Sequence, residues 1–179
     1  GKAAASSLEK AFDVDRFDVQ SNEFLPPGLD PRRHVVFSTL HGTFGEDGCM
    51  QRMLDENGVI YAGCDAESSA LTFDKIETKR VMAAAGVPVA EQTTFAADAK
   101  PEAAEIVNRL GTSLVLKPVA QGSSVGLAFC EGEAELAAAL AGISRGRWLV
   151  EPRIVGREAT VGILHGKPLG IVEIRPKSG

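Results

Sequence analysis

Lys117-Pro118-Val119-Ala120-Gln121-Gly122-Ser123-Ser124-Val125-Gly126 decides how the rest of this sequence is read. It continues an apolar run, Leu114-Val115-Leu116, that reads as a β-strand closing on Lys117. Glycine adopts conformations that let successive N–H groups converge into a concavity for phosphate oxygens, and a nearby lysine adds a point charge. A polar hairpin loop would have the same composition, so the bare stretch leaves both readings open. Its last five residues also satisfy G-x-S-x-G, the nucleophile elbow of serine hydrolases, with Glu151, Glu158 and His165 in order as partners. That motif needs a helix directly after the serine. Here Leu127-Ala128-Phe129-Cys130 reads as another strand, which is the wrong context.

Downstream, Glu133–Leu140 is an alanine-rich helix, followed by strands at Arg147–Glu151, Glu158–Leu164 and Leu169–Arg175. Gly166-Lys167 makes the last two a hairpin. Upstream, Val89–Phe95 is a weak strand and Pro101–Leu110 a helix with proline near its first turn. This half is α+β. The first half alternates differently, with a helix over Ala3–Phe12 and a short edge-like strand at Arg16–Gln20. A proline-containing loop at 21–33 then leads to a buried strand at His34–Ser38. A helix over Asp47–Asn57, a buried strand at Val59–Ala62 and two helical pieces within 66–85 complete this half, which ends at Gly86. Strand–helix alternation with apolar strands indicates an α/β layer with a mainly parallel sheet. The boundary between the halves is placed at Gly86, giving units 1–86 and 87–179.

Composition narrows the function classes. The chain has 179 residues, 44% hydrophobic and 24% charged, with a net charge of −5. These values exclude collagen-like, coiled-coil and disordered chains, and about 70% of the unfolded surface can be buried at this length. A nucleic-acid partner is not expected from an acidic chain. No apolar stretch approaches the roughly 18–20 residues that span a bilayer, so no membrane role is expected. Cys49, Cys64 and Cys130 lack CxxC spacing, and their odd number predicts free, mostly buried thiols in a reducing compartment. His34, His41 and His165 lack metal-ligand spacing.

Other nucleotide signatures are missing. Neither Gly1-Lys2 nor Gly166-Lys167 forms a Walker A loop, and Gly42, Gly45 and Gly48 do not make GxGxxG. His41-Gly42-Thr43-Phe44-Gly45-Glu46-Asp47-Gly48 nevertheless lies between a strand and a helix, where ligands gather in open α/β sheets. Glu46 and Asp47 suit helix capping equally well. Glu151 and Glu158 flank a chain reversal, where a carboxylate can accept ribose hydroxyls and free backbone can pair with an adenine edge. The competing reading makes them surface glutamates bridged to Arg153 and Arg157, worth about 0–1 kcal/mol each.

Taken in order, these segments resemble the D-alanine–D-alanine ligase family of the ATP-grasp superfamily. The resemblance runs over about residues 34–179, through Leu40-His41-Gly42, Gly45-Glu46-Asp47-Gly48, Gln51 and Tyr61-Ala62-Gly63-Cys64-Asp65. It continues through Ser69-Ala70-Leu71, Asp74-Lys75, Lys117–Gly126, Glu151–Gly162, Val172-Glu173-Ile174, Pro176 and Ser178-Gly179. It implies a partial Rossmann-like N-terminal domain followed by an ATP-grasp domain truncated at its C-terminus. The implied activity is ATP-dependent joining of two D-alanines through an acyl phosphate, for peptidoglycan precursor synthesis in the cytoplasm, by a homodimer. An ester-forming ligase using D-lactate and a nucleotide-binding fragment without turnover are the alternatives.

By the same resemblance, Lys75 and Lys117 contact ATP phosphates and the loop Gly122, Ser123, Ser124, Val125 and Gly126 closes over them. Ser123 lies in a network at the first D-alanine, Ser124 near the γ-phosphate, and His41 on the substrate side. Glu151, the backbone of Pro152 and Ile154, and Glu158 hold adenine and ribose. Pro152 departs from the lysine often found there, but a carbonyl contact survives that change. Mg2+ or Mn2+ is expected, with ligands beyond Gly179. Both ends of the chain read as cut, so the 179 residues alone are expected to be inactive.

Overall fold

The computed structural model describes residues 1–175; Pro176 and Ser178-Gly179 of the family resemblance lie outside the described residues. The first helix, α1 (Lys2–Leu8), buries no residue, and Phe12 just beyond it is exposed. Residues 16–20 form no strand. Their alternation finds no partner strand there, and Val19 instead packs, with Leu25 and Leu29, on a small cluster of Met50, Leu54 and Val59.

Strands β1 (Val35–Phe37) and β2 (Ile60–Ala62) pair in parallel, with Val36 opposite Tyr61. They are connected through α2 (Cys49–Glu56), which buries Met50 and Leu54. The expected strand–helix alternation is therefore present. The expected burial is only half right: Val36 and Tyr61 pack on the cluster, whereas Val35, Phe37 and Ile60 are exposed. A parallel sheet buries both faces only when a layer covers each.

Two helices follow, α3 (Ala66–Phe73) and α4 (Lys75–Ala84). Asp65 caps the first by accepting the Ser68 N–H at 2.7 Å. Asp74 caps the second by accepting the N–H groups of Ile76 and Glu77 at 2.9 and 3.0 Å. Such caps satisfy donors that the first helical turn leaves free. Gly48, at φ +89°, lets the start of α2 approach α3; a Cβ there would lie 2.2 Å from the Ala66 carbonyl oxygen.

The second half is built on an antiparallel sheet in the order β3-β6-β4-β5. Its strands are β3 (Thr93–Ala96), β4 (Ser113–Pro118), β5 (Ala128–Glu131) and β6 (Arg147–Pro152). Helices α5 (Ala103–Leu110) and α6 (Gly132–Ala141) cover one face. Leu114 and Leu116 of β4 turn toward them and join Ile106, Cys130, Leu136 and Val150 in the main core. Burying a large aliphatic side chain contributes about 1.5–3 kcal/mol. Side chains alternate along a strand, so Val115 and Lys117 point to the opposite face. The register sets Phe129 and Glu151 beside Val115 there.

The last strands, β7 (Glu158–Leu164) and β8 (Lys167–Ile174), form the expected hairpin, with every residue exposed. His165 and Gly166 make the turn at φ +50° and +72°, the handedness that matches strand twist. Cys130 is buried as expected, but Cys49 and Cys64 are exposed, because they lie at the start of α2 and just after β2, outside the packed cluster. Among the described residues, no helix is long and apolar enough to cross a membrane.

Candidate active site

On the face of the four-stranded sheet away from α5 and α6, β6 delivers Glu151, whose side chain is only 14% exposed. Two lysines hold it: Lys79 Nζ donates to Oε2 at 2.7 Å, and Lys117 Nζ donates to Oε1. Burial alone would raise the Glu151 pKa. The hydrogen bonds and charges of Lys117 and Lys79 outweigh that effect and hold the carboxyl below its ordinary value. One carboxylate against two ammonium groups leaves a positive charge uncompensated.

Lys75 adds a third cation. Its backbone N–H donates to the Val119 carbonyl at 3.1 Å, and its Nζ donates to the carbonyls of Val119 and Gln121 at 3.3 and 2.7 Å. Burial first, and the Lys117 charge second, lower the Lys75 pKa. Asp74 Oδ2 also accepts from Arg147 at 3.2 Å. The start of α4 is thus tied both to the chain leaving β4 and to β6.

Next to this cluster lies a cavity of about 420 Å³. Val115, Leu127 and Phe129 give it apolar walls, Lys117 and Glu151 its charged edge, and residues 152–156 its border. Few, well-placed polar groups on an apolar wall are the usual make-up of a small-molecule site. Arg153 lies over the Phe129 ring at 4.6 Å and reaches Glu131 at 3.6 Å. The surface-bridge reading of Glu151 is therefore corrected: its partners are lysines from α4 and β4.

The glycine–serine loop follows β4 and leads into β5, with no helix after the serines. Ser123 and Ser124 have φ of +51° and +58°, a conformation costing roughly 1–2 kcal/mol per non-glycine residue. Gly126, at φ +74°, packs so closely that a Cβ would lie 3.2 Å from the Trp148 ring. At the other end, a Cβ on Gly122 would meet Glu46 Oε2 at 3.1 Å.

Glu46 belongs to a second cavity of about 510 Å³, which His41, Gln51, Cys64, Ser69 and Thr72 also line. Its carboxylate accepts the Gly42 N–H at 2.6 Å and lies 3.9 Å from His41 Nδ1. Gln51 Nε2 donates to the Gly45 carbonyl at 3.3 Å, while its buried Oε1 has no partner. Asp47 is structural: it accepts the N–H groups of Phe44 and Cys49 at 2.8 and 3.0 Å. These bonds lower its pKa although burial pushes the other way.

The structure thus gathers Lys117, Glu151, Pro152 and Ile154 around one cavity, sets Lys75 near Lys117 and Glu151 but outside its lining, and sets His41 in the other cavity. Gly122 borders Glu46, whereas Ser123, Ser124, Val125 and Gly126 line neither cavity. Glu158 opens β7, exposed and outside both walls. Sequence reasoning missed Lys79 and the walls Val115, Leu127 and Phe129. Lys79 stands one helical turn after Lys75, and the alternation of β5 sets Leu127 and Phe129 opposite buried Cys130. Both signals were readable. Among the described residues, no group of three His, Cys, Asp or Glu could hold a metal ion.

Comparison with known proteins adds the context. Residues 81–179 match the family model described as D-ala D-ala ligase C-terminus. A D-alanine–D-alanine ligase of Anaeromyxobacter sp. is 38% identical over 183 residues, covering 98% of this chain and 58% of that protein. The chain therefore spans a little over half the length of the curated relative. The solved structure of the D-alanine–D-alanine ligase from Coxiella burnetii superposes with a TM-score of 0.68 at 36% identity, covering 78% of this chain and 44% of that one. A Bacillus anthracis ligase complexed with ATP gives a TM-score of 0.69 at 28% identity, covering 78% of this chain and 47% of that one.

Proposed function

This chain belongs to the D-alanine–D-alanine ligase family, and on that premise we propose that it supplies the nucleotide site and part of the first-substrate site of an ATP-dependent ligase joining two D-alanines. The observation that carries the proposal is Glu151, shared by Lys79 and Lys117 at the edge of an apolar cavity of about 420 Å³. The cavity accommodates a flat base between Val115, Leu127 and Phe129, and the uncompensated ammonium charge beside it suits phosphates.

ATP, when bound, supplies the phosphoryl group that activates a carboxylate for attack by an amine. Lys117 and Lys75 hold phosphate oxygens by charge. Glu151, with the backbone at Pro152 and Ile154, holds the nucleoside, and Glu158 reaches the ribose once the hairpin is drawn in. The loop from Gly122 to Gly126 covers the phosphates, Ser124 beside the terminal one and Ser123 toward the first D-alanine. His41 orients that substrate from the second cavity. No residue in this set is a covalent nucleophile. Its contribution is positioning and charge neutralisation, which dominate phosphoryl transfer.

The finer architecture belongs to the same proposal: a Rossmann-like unit over 1–86 and an ATP-grasp unit over 87–179. The separate apolar clusters around Leu54 and around Leu114 support this division. Mg2+ or Mn2+ is proposed to accompany ATP, held outside the described residues. Cytoplasmic location and a homodimer are proposed from family membership alone.

The test is ATP- and D-alanine-dependent formation of D-alanyl-D-alanine by a full-length ligase of the family in which residues 1–179 replace the matching segment; the 179 residues alone are expected to form none. Dipeptide formation by that full-length protein is expected, and Lys117→Ala in it should lower kcat/KM for ATP by about 10²–10³, as for loss of a preorganised charge contact. ATP binding without any dipeptide would leave a nucleotide-binding protein and refute the ligase reading.

A further inference from the structure

Lys79 has no role in the reading above, yet it makes the best-shielded ion pair described in the chain. Its side chain is 17% exposed and that of Glu151 14%, with 2.7 Å between Nζ and Oε2. The two residues are 72 positions apart, one on α4 and one on β6. Lys117 takes the other carboxylate oxygen.

The lysine intended for phosphate is thus already occupied. An ammonium has three donors, so Lys117 meets a phosphate oxygen by sharing or loosening its bond to Glu151, and a shielded carboxylate that loses a partner is strongly unfavourable. Lys79 changes that balance. Held from below by Lys79, Glu151 keeps a cationic hydrogen-bond partner while Lys117 moves. Among the described residues no other cation touches Glu151: Lys75 Nζ donates to the Val119 and Gln121 carbonyls, and Arg153 meets Glu131 and the Phe129 ring.

We propose that Lys79 is a positioning residue for nucleotide binding: by holding Glu151 Oε2 it releases Lys117 from the carboxylate to the phosphates of an incoming nucleoside triphosphate. This rests on the nucleotide reading of the cavity and adds the exchange of partners on which that reading depends. A purely structural staple between α4 and β6 would predict lower stability without any specific coupling to Glu151.

Isothermal titration of ATP into the 179-residue chain separates the two, using wild type, Lys79→Met, Lys79→Arg, Glu151→Gln and the Lys79→Met/Glu151→Gln pair. Circular dichroism melts establish that each variant is folded. Lys79→Met should weaken ATP binding about tenfold, and Lys79→Arg should restore it to within about threefold, as for residues in one ion-pair network. With Glu151→Gln already present there is no charge left to compensate, so adding Lys79→Met should change affinity less than about twofold. Wild-type affinity in folded Lys79→Met, or an undiminished loss in the Glu151→Gln background, would overturn the role of Lys79. Should Lys79→Met not fold, the comparison of Glu151→Gln with the double variant still decides, because neither retains the buried carboxylate charge. Absence of ATP binding by wild type itself would remove the nucleotide reading instead, a distinguishable failure.

Discussion

The four-stranded sheet and the β7–β8 hairpin carry similar apolar strand sequences and end in opposite situations. In β4 and β6, Leu114, Leu116 and Val150 on the helix-covered face are buried. In the hairpin, Ile163, Leu164 and Ile171 are more than half exposed. What differs is the presence of α5 and α6 over one face of the sheet. Apolar alternation specifies that a strand forms and which residues share a face; burial requires a second layer. The candidate site follows from the same arrangement, because covering one face with helices leaves Val115, Lys117, Phe129 and Glu151 on the other.

The comparison is most exposed to core truncation. Leu114→Ala should cost about 2–5 kcal/mol in urea unfolding, while Ile171→Ala should stay within about 0.5 kcal/mol. Equal losses would mean that the hairpin is as tightly packed as the sheet. A smaller effect is expected at the ion cluster. Glu151→Leu leaves two ammonium groups without their shared carboxylate and should destabilise by about 2 kcal/mol, between the values for exposed and buried pairs. Smaller again, Asp74→Ala removes the cap of α4 and should cost about 1 kcal/mol.

Acid sensitivity sharpens the same contrast. The Glu151 carboxyl titrates below its ordinary value of 4.5 in the folded protein. A depressed folded-state pKa means that its stabilisation is complete above the unfolded value and is lost as pH falls through the folded one. Glu151→Gln should therefore flatten the loss of stability below about pH 4.5 in unfolding curves taken across pH. An unchanged acid limb would show that the lysines do not bias this carboxyl. Hairpin substitutions such as Ile163→Ala should leave that limb unmoved.

Much of the fold was legible in the sequence. The break between α3 and α4 is set by Asp74, and the hairpin turn by Gly166; both are local signals. The strands near Val36 and Tyr61 were legible as strands but not as half-exposed ones, because the covering layer is a tertiary fact. Residues 16–20 alternate like a strand yet serve to place Val19 on a small core, and no local feature distinguishes the two uses. At the site, Lys117 and Glu151 stood out individually. Their direct contact depends on the antiparallel register of β4 and β6, which pairs Val115 with Glu151. Lys79 was missed because its importance comes from a partner 72 residues away.

Hydrogen–deuterium exchange with and without ATP tests the central claim most directly. Slowed exchange is predicted over residues 115–117, 127–129 and 151–158, with the rest of the hairpin at 159–174 protected far less. Protection confined to the cavity around His41, or none at all at saturating ATP, would contradict it.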